Sequence, residues 1–477
     1  MTGQSKARHR HGRVGGRIVV TMGLLAVATL GTAVVAPSVG AGVPPWRIVA
    51  SPNPSADSNY LQGVSCVSPT ACTAVGYSQS PNQTTLVESW NGSHWSIVPS
   101  PNVTTQPVSL LSGVSCVGTT WCVAVGWSEN LDGSGDETLI ESWDGSTWTI
   151  VPSPDPVAGT ASSLWNVSCL TTTDCTAVGA ASFGTLIESW DGSTWTIVPS
   201  PNPVGSNSGQ LQGVSCVSAA DCTAVGTSSL GTLVEAWDGE SWTVVASPNP
   251  GGNPNSYFED VSCATTTSCM AVGYYSQGTG GQTLAEAWDG SSWSIVPSGG
   301  VDGVLFGISC LAADNCTATG WAYEGTDRTL AEDWDGSSWS VVASPNQGGF
   351  TVISGVSCTT SSCTTVGWDQ TPGTSRTLIE SESLLHITTT SLPAGTVGVP
   401  YSFTLQAAGG NPPYKWGEYG GGRLPRGLSF SSAGVISGTP KKAGVTSVTF
   451  RVRDTKSGFY QPYDAASAYL TFTITID

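Results

Sequence analysis

The sequence predicts an all-β chain: a seven-bladed β-propeller closed by its own N-terminal strand, followed by an Ig-like β-sandwich. Three observations lead there. A segment recurs seven times at intervals of 47 to 53 residues. Each copy holds short β-branched or apolar runs of strand length separated by turn-rich breaks, four per complete copy. The seventh copy ends early, and the piece it lacks stands alone near residue 45. Four strands per repeat with a period near 48 is the pattern of a propeller blade.

The chain opens with a basic, polar stretch at residues 1–17, an apolar run at 18–36 and the small-residue sequence PSVGAG. Residues 1–41 therefore read as a signal peptide, with Val39-Gly40-Ala41 as the cleavage site. The apolar run is also just long enough to span a bilayer, so an uncleaved anchor is the alternative. Either way the expected location is secreted or at the extracellular cell surface.

The propeller is expected over residues 45–386. Each copy reads GVSC, five residues, CTAVG, a variable loop, TLxES-W-DG-x-x-W and then xIVPSPN. The seventh runs ISGVSC, TTVGW, TLIESES and stops, while PWRIVASPN stands at 45–53. The first strand of the chain is thus expected to complete the last blade, which would leave no blade three-stranded and no sheet edge open.

Six copies carry Trp, Asp or Asn, Gly, two residues and a second Trp, as in Trp143 to Trp148. Asp-Gly suits a tight turn, and a four-residue loop sets the two Trp directly opposite each other. The hairpin is like the sialidase Asp-box S-x-D-x-G-x-T-W but one residue shorter, so the Asp is assigned to the turn.

All 14 cysteines fall in seven close pairs: Cys66 and Cys72, Cys116 and Cys122, Cys169 and Cys175, Cys216 and Cys222, Cys263 and Cys269, Cys310 and Cys316, Cys358 and Cys363. In an exported chain this reads as one disulfide per blade across the first hairpin. Metal binding is the alternative, opposed by the spacing and the scarcity of histidine. The third strand of each copy also holds one glutamate: Glu88, Glu141, Glu188, Glu235, Glu286, Glu332 and Glu380. These are expected between blades, accepting hydrogen bonds from a neighbouring blade's backbone or Trp N–H.

From residue 387 to 477 cysteine disappears and Lys and Arg increase. TFRVRD and AYLTFTITID alternate like half-buried strands. The segment GLSFSSAGVISGTPKKAG at 427–444 resembles the bacterial "putative Ig domain" family, which implies a cadherin-like Ig fold acting as spacer or adhesion module. The acidic calcium ligands of cadherin relatives are not evident, so that resemblance carries no calcium. The loop DGSGDE at 132–137 is a weak calcium candidate only, and no cofactor is expected. The blade repeats are similar to Cys-paired, Trp-rich propeller repeats of exported actinobacterial proteins of unassigned function.

Charge narrows the partners. Residues 45–386 hold 30 acidic and three basic side chains, a net of −27, whereas 387–477 hold four acidic and eight basic, a net of +4. A surface at −27 disfavours nucleic acid and anionic membrane. Copies differ mainly in the loops between second and third strands and in the links between blades, two loop sets expected on one face. After each AVG or its equivalent stand Tyr77, Trp127, Ala180, Thr227, Tyr274, Trp321 and Trp368, so the aromatic copies form a contiguous arc. Arg328 and Arg376 precede the TL of copies six and seven within that arc. These aromatics and arginines are the candidate ligand-binding residues, for a glycan or protein ligand at the variable-loop face. The leading expectation is a non-enzymatic binding or adhesion protein. The alternatives are a glycan-active propeller enzyme, sialidase-like or a polysaccharide lyase, and a purely structural envelope protein. A sialidase needs three arginines around the substrate carboxylate, and the outermost of the three available, Arg47, is far from any shared site. No catalytic residue is assigned, and the sequence gives no oligomeric state.

Overall fold

The computed structural model describes residues 46–477 apart from 80, 130–134, 155, 157–159, 183, 207, 278–279, 324–326, 347–348, 372, 410–412, 421 and 454–466. The expected signal peptide, and residues 132–134 of the DGSGDE loop, therefore lie outside the described residues. Apart from one short 3-10 turn at Pro250–Gly252, the regular elements of the described residues are strands. No helix among them is long and apolar enough to cross a membrane.

The first repeat forms four antiparallel strands, Ser58–Ser68, Ala71–Gln79, Gln83–Trp90 and Trp95–Ile97, paired in chain order. The same meander recurs over residues 108–151, 162–197, 209–245, 256–295 and 303–342. The seventh repeat supplies only Phe350–Thr359, Ser362–Thr371 and Thr374–Ser383. Its fourth strand is Trp46–Val49, which pairs antiparallel with Thr374–Ser383, Trp46 opposite Glu382 and Val49 opposite Ile379.

Period-2 alternation works on both faces of the third strand. In the second unit Leu139 packs with Val75 and Val87 of the first unit, while its neighbour Ile140 packs with Leu164 and Leu186 of the third. Each apolar core is thus an interface between consecutive units, as expected when a repeat cannot bury its own faces. The seventh and first units share one as well, built from Val366 and Ile379 with Leu61 and Leu86.

Polar groups follow the same order. The amide of Cys116 donates to Ser65 Oγ of the preceding unit, and the bond recurs at every VSC or ISC motif at 3.0–3.1 Å. In the first unit the Cys66 amide donates to Ser357 Oγ at 3.0 Å, so this chain of bonds returns to its start. The exit segment Ser-Pro-Asn bridges units as well. Ser100 donates to Glu141 of the next unit at 2.6 Å, and Asn102 Oδ1 accepts the Thr85 amide of its own at 2.9 Å. The detached segment does likewise: Ser51 donates to Glu88 at 2.9 Å and Asn53 accepts the Thr377 amide at 3.0 Å.

All seven cysteine pairs are disulfides, which fits an oxidising compartment. The Trp-Asp-Gly-x-x-Trp hairpins bring the two rings to 5.7–5.8 Å, with the turn glycines at φ +89° to +96°. The first Trp donates its Nε1 to the disulfide hairpin, as Trp143 does to the Thr119 carbonyl at 3.2 Å. The acid stays in the turn: Asp144 Oδ1 accepts the amides of Ser146 and Thr147, both at 2.8 Å.

The C-terminal region has two three-stranded sheets. One orders Tyr401–Thr404, Val435–Gly438 and Leu428–Phe430; the other orders Lys415–Tyr419, Gly444–Arg453 and Ser467–Ile476. Tyr401 and Ile436 from the first meet Trp416, Phe450, Val452 and Ile474 from the second in one core, the arrangement of a β-sandwich.

Candidate functional site

Every first strand carries one residue too many. Pairing with the second strand shifts between Leu61 and Gly63, and at the same place in the other six units. Such a bulge bends the strand and re-aims a side chain. It also explains the glycine of the AVG motif: a Cβ on Gly76 would overlap the Tyr60 carbonyl oxygen, and its six equivalents meet the same obstacle.

The seven bulge residues are Gln62, Ser112, Trp165, Gln212, Glu259, Phe306 and Ser354, and all of them line one cavity of about 580 Å³. They come from all seven units. Tyr77, Trp127, Trp321 and Trp368 line it too, so four of the five aromatic candidates are brought together. Three of the four belong to a continuous ladder: Tyr77 stacks on Tyr60 at 4.8 Å, Tyr60 meets Trp368 edge-on at 5.3 Å, and Phe350 links Trp368 to Trp321 at 5.2 and 6.3 Å. The ladder crosses from the first unit to the seventh and sixth. These rings thus pack between units and also line the cavity.

The remaining candidates lie elsewhere. Tyr274 stacks on Tyr257 at 4.8 Å and is not part of the cavity lining. Arg376 is exposed and stands opposite Asp369, whose carboxyl is pushed up by burial and partly drawn back by the Arg376 charge. Arg328 is exposed opposite Ala322. Neither arginine lines the cavity.

Sequence reasoning missed the bulge residues. Their signal is the variable x in L-x-G-V-S-C, which sits in a strand rather than a loop. The following residue is Gly in five units but Asn166 in the third and Asp260 in the fifth. Asp260 accepts the amides of Val261 at 2.9 Å and Ile308 at 3.0 Å and the Asn166 Nδ2 at 3.2 Å. Glycine is required between them, since a Cβ on Gly213 would sit 2.8 Å from Asp260 Oδ1. Burial raises Asp260 to about 7 against the pull of the two amides, and burial with Asp260 alongside raises Glu259 to about 7. Trp165 Nε1 is buried with no hydrogen-bond partner.

The third-strand glutamates take no part in the cavity. They lie fully buried between units, and burial raises Glu88 and Glu286 to about 8 and Glu141, Glu235, Glu332 and Glu380 to about 7. Their partners correct the expectation in part: a serine hydroxyl of the preceding exit segment serves in six units, and a backbone amide, that of Gly299, only for Glu332. The N–H of the first Trp of each Trp-x-Gly-x-x-Trp hairpin goes to the disulfide hairpin instead. Among the described residues no group of three or more His, Cys, Asp or Glu is placed to hold a metal ion.

Residues 384–477 match the family described as "Putative Ig domain". The Ig domain so defined begins three residues before the change in composition at 387. No curated protein matches the chain. Among solved structures, YCF48 from Cyanidioschyzon merolae is 14% identical, covering 71% of this chain and 98% of its own at a TM-score of 0.46. A PL25 polysaccharide lyase, an ulvan lyase, is 8% identical over 69% of this chain and 97% of its own at a TM-score of 0.44. A structure named "putative alpha-galactosidase" from Bacteroides fragilis is 22% identical over 20% of this chain, which spans 17% of that protein, at a TM-score of 0.16.

Proposed function

We propose that this is a secreted or surface-displayed, non-enzymatic binding protein. Its seven units form a seven-bladed propeller, closed by the strand Trp46–Val49, and the propeller is the recognition platform. The Ig domain acts as spacer or adhesion module. Closure is supported by the pairing of Trp46–Val49 with Thr374–Ser383 and by the serine bonds that run from unit to unit back to Ser357. The observation that carries the binding role is the convergence of Tyr77, Trp127, Trp321 and Trp368 on one cavity. Flat apolar faces with an unpaired donor, Trp165 Nε1, suit a sugar or peptide that brings its own acceptor.

One observation favours a second reading. Glu259 and Asp260 line the same cavity, and paired carboxylates are the equipment of glycan hydrolysis. Against it, Asp260 is already engaged by three donors. A glycan and peptide array probed with the exported chain, with turnover assays on each hit, separates the two. Binding without turnover is expected, lost at least ten-fold in Trp127→Ala with the melting temperature little changed. Turnover, or binding indifferent to Trp127, Trp321 and Trp368 while the fold weakens, would overturn the reading.

A further inference from the structure

Seven equivalent bulge positions face one cavity, and a single one of them is ionisable. Units one and four place Gln62 and Gln212 there, and unit five places Glu259. Glu259 is half-buried on the cavity wall, and no hydrogen bond to its carboxyl from any described residue is formed, although it lies beside Asp260. A carboxyl that faces a cavity with no donor or counter-charge from its own fold leaves a position for a charge-assisted partner from outside it. The domain does not provide one: its three basic residues, Arg47, Arg328 and Arg376, are all absent from the cavity lining.

The rest of the wall says what kind of partner fits. Trp127, Trp165, Phe306, Trp321 and Trp368 give the cavity an aromatic lining. Ring faces attract a cation that keeps an apolar coat, such as an alkylammonium, and do so most strongly when water is excluded. A bare metal ion would use oxygen ligands that this wall does not cluster. An anion would meet two carboxyl groups and a domain of net −27.

We infer that the axial cavity binds an organic cation, a ligand whose ammonium group meets Glu259 and is enclosed by the tryptophan faces. Asp260 is the positioning residue. Held by the amides of Val261 and Ile308 and by Asn166, it fixes the bulge from which Glu259 extends. The inference rests on the cavity being the binding site proposed above and adds the charge class of its ligand.

The test uses choline and its neutral isostere 3,3-dimethylbutan-1-ol, titrated into the exported chain and followed by calorimetry and tryptophan fluorescence. Choline is expected to bind at least ten-fold more tightly than the alcohol. Glu259→Gln is expected to abolish that preference without lowering the melting temperature, because Gln already occupies the same position in units one and four. Equal binding of the two probes, or a preference that survives Glu259→Gln, overturns the cation inference while leaving the aromatic platform intact. Binding of neither probe by a folded protein overturns it too, and array hits that still depend on Trp127 then show whether the platform itself stands.

Discussion

At the residue scale, function and scaffold are separated by a single position in one motif. In L-x-G-V-S-C the flanking letters are constrained: Leu61 and its equivalents are fully buried, and the Ser joins one unit to the next. The x is free to vary because it faces the cavity. It was not legible in advance, since a bulge in an otherwise alternating run leaves no mark in the hydrophobic pattern. Only the pairing of Leu61 with Gly76 and of Gly63 with Val75 reveals it. The serine–glutamate bond between units was half legible: the glutamate ring was evident, its partner was not. Among the described residues Ser100 alone donates to Glu141, whose other oxygen is buried without a partner. Ser100→Ala is expected to destabilise the chain by about 1–3 kcal/mol in denaturant titration, the range for a buried group left unsatisfied. An unchanged midpoint would mean the bond contributes nothing.

At the element scale the hairpins were the most legible part, because spacing alone sets their register. Two Trp five positions apart around Asp-Gly have to face each other, and they do in six units. The two rings are not equivalent, which the motif did not reveal. Trp148 is 6% exposed and packs with Val75, Leu111 and Leu139, whereas Trp143 is half-buried on the disulfide hairpin. Trp148→Ala is therefore expected to cost about 3–5 kcal/mol, as for other large core truncations. Trp143→Ala should cost distinctly less. Equal losses in paired unfolding curves would contradict the assignment of Trp148 to the core between units. The aromatic arc was legible in part: four of its five residues reach the cavity. Tyr274 does not, although it stacks on Tyr257 just as Tyr77 stacks on Tyr60.

At the scale of the whole molecule, carboxyl burial gives the fold a pH dependence of definite sign. Six third-strand glutamates sit at about 7 to 8, well above the ordinary glutamate value of 4.5. Between the unfolded and folded values the native state binds more protons than the unfolded chain, so stability falls as pH rises through that window. Repulsion within a domain of net −27 acts in the same direction. The turn aspartates act oppositely but only at lower pH: hydrogen bonds from Ser146 and Thr147 to Asp144, and from Thr194 and Ser193 to Asp191, hold both at about 2. The melting temperature is expected to be highest near pH 4.5–5 and to decline steadily to pH 8. A maximum at pH 8 would contradict the buried-glutamate account. The seven-fold repeat and the detached strand were readable because both are matters of chain order, whereas the cavity exists only once seven inner strands are assembled.

The central claim is that recognition belongs to the positions that differ between units and not to the repeated hairpins. Oxidative footprinting of tryptophan, with and without a ligand selected from the array, tests it in one experiment. Trp127, Trp321 and Trp368 in the cavity and Trp90, Trp143 and Trp190 on the hairpins are all half-buried, so both sets start from comparable exposure. Ligand-dependent protection of the cavity set with the hairpin set unchanged is expected; protection of the hairpin set alone would contradict recognition in the cavity.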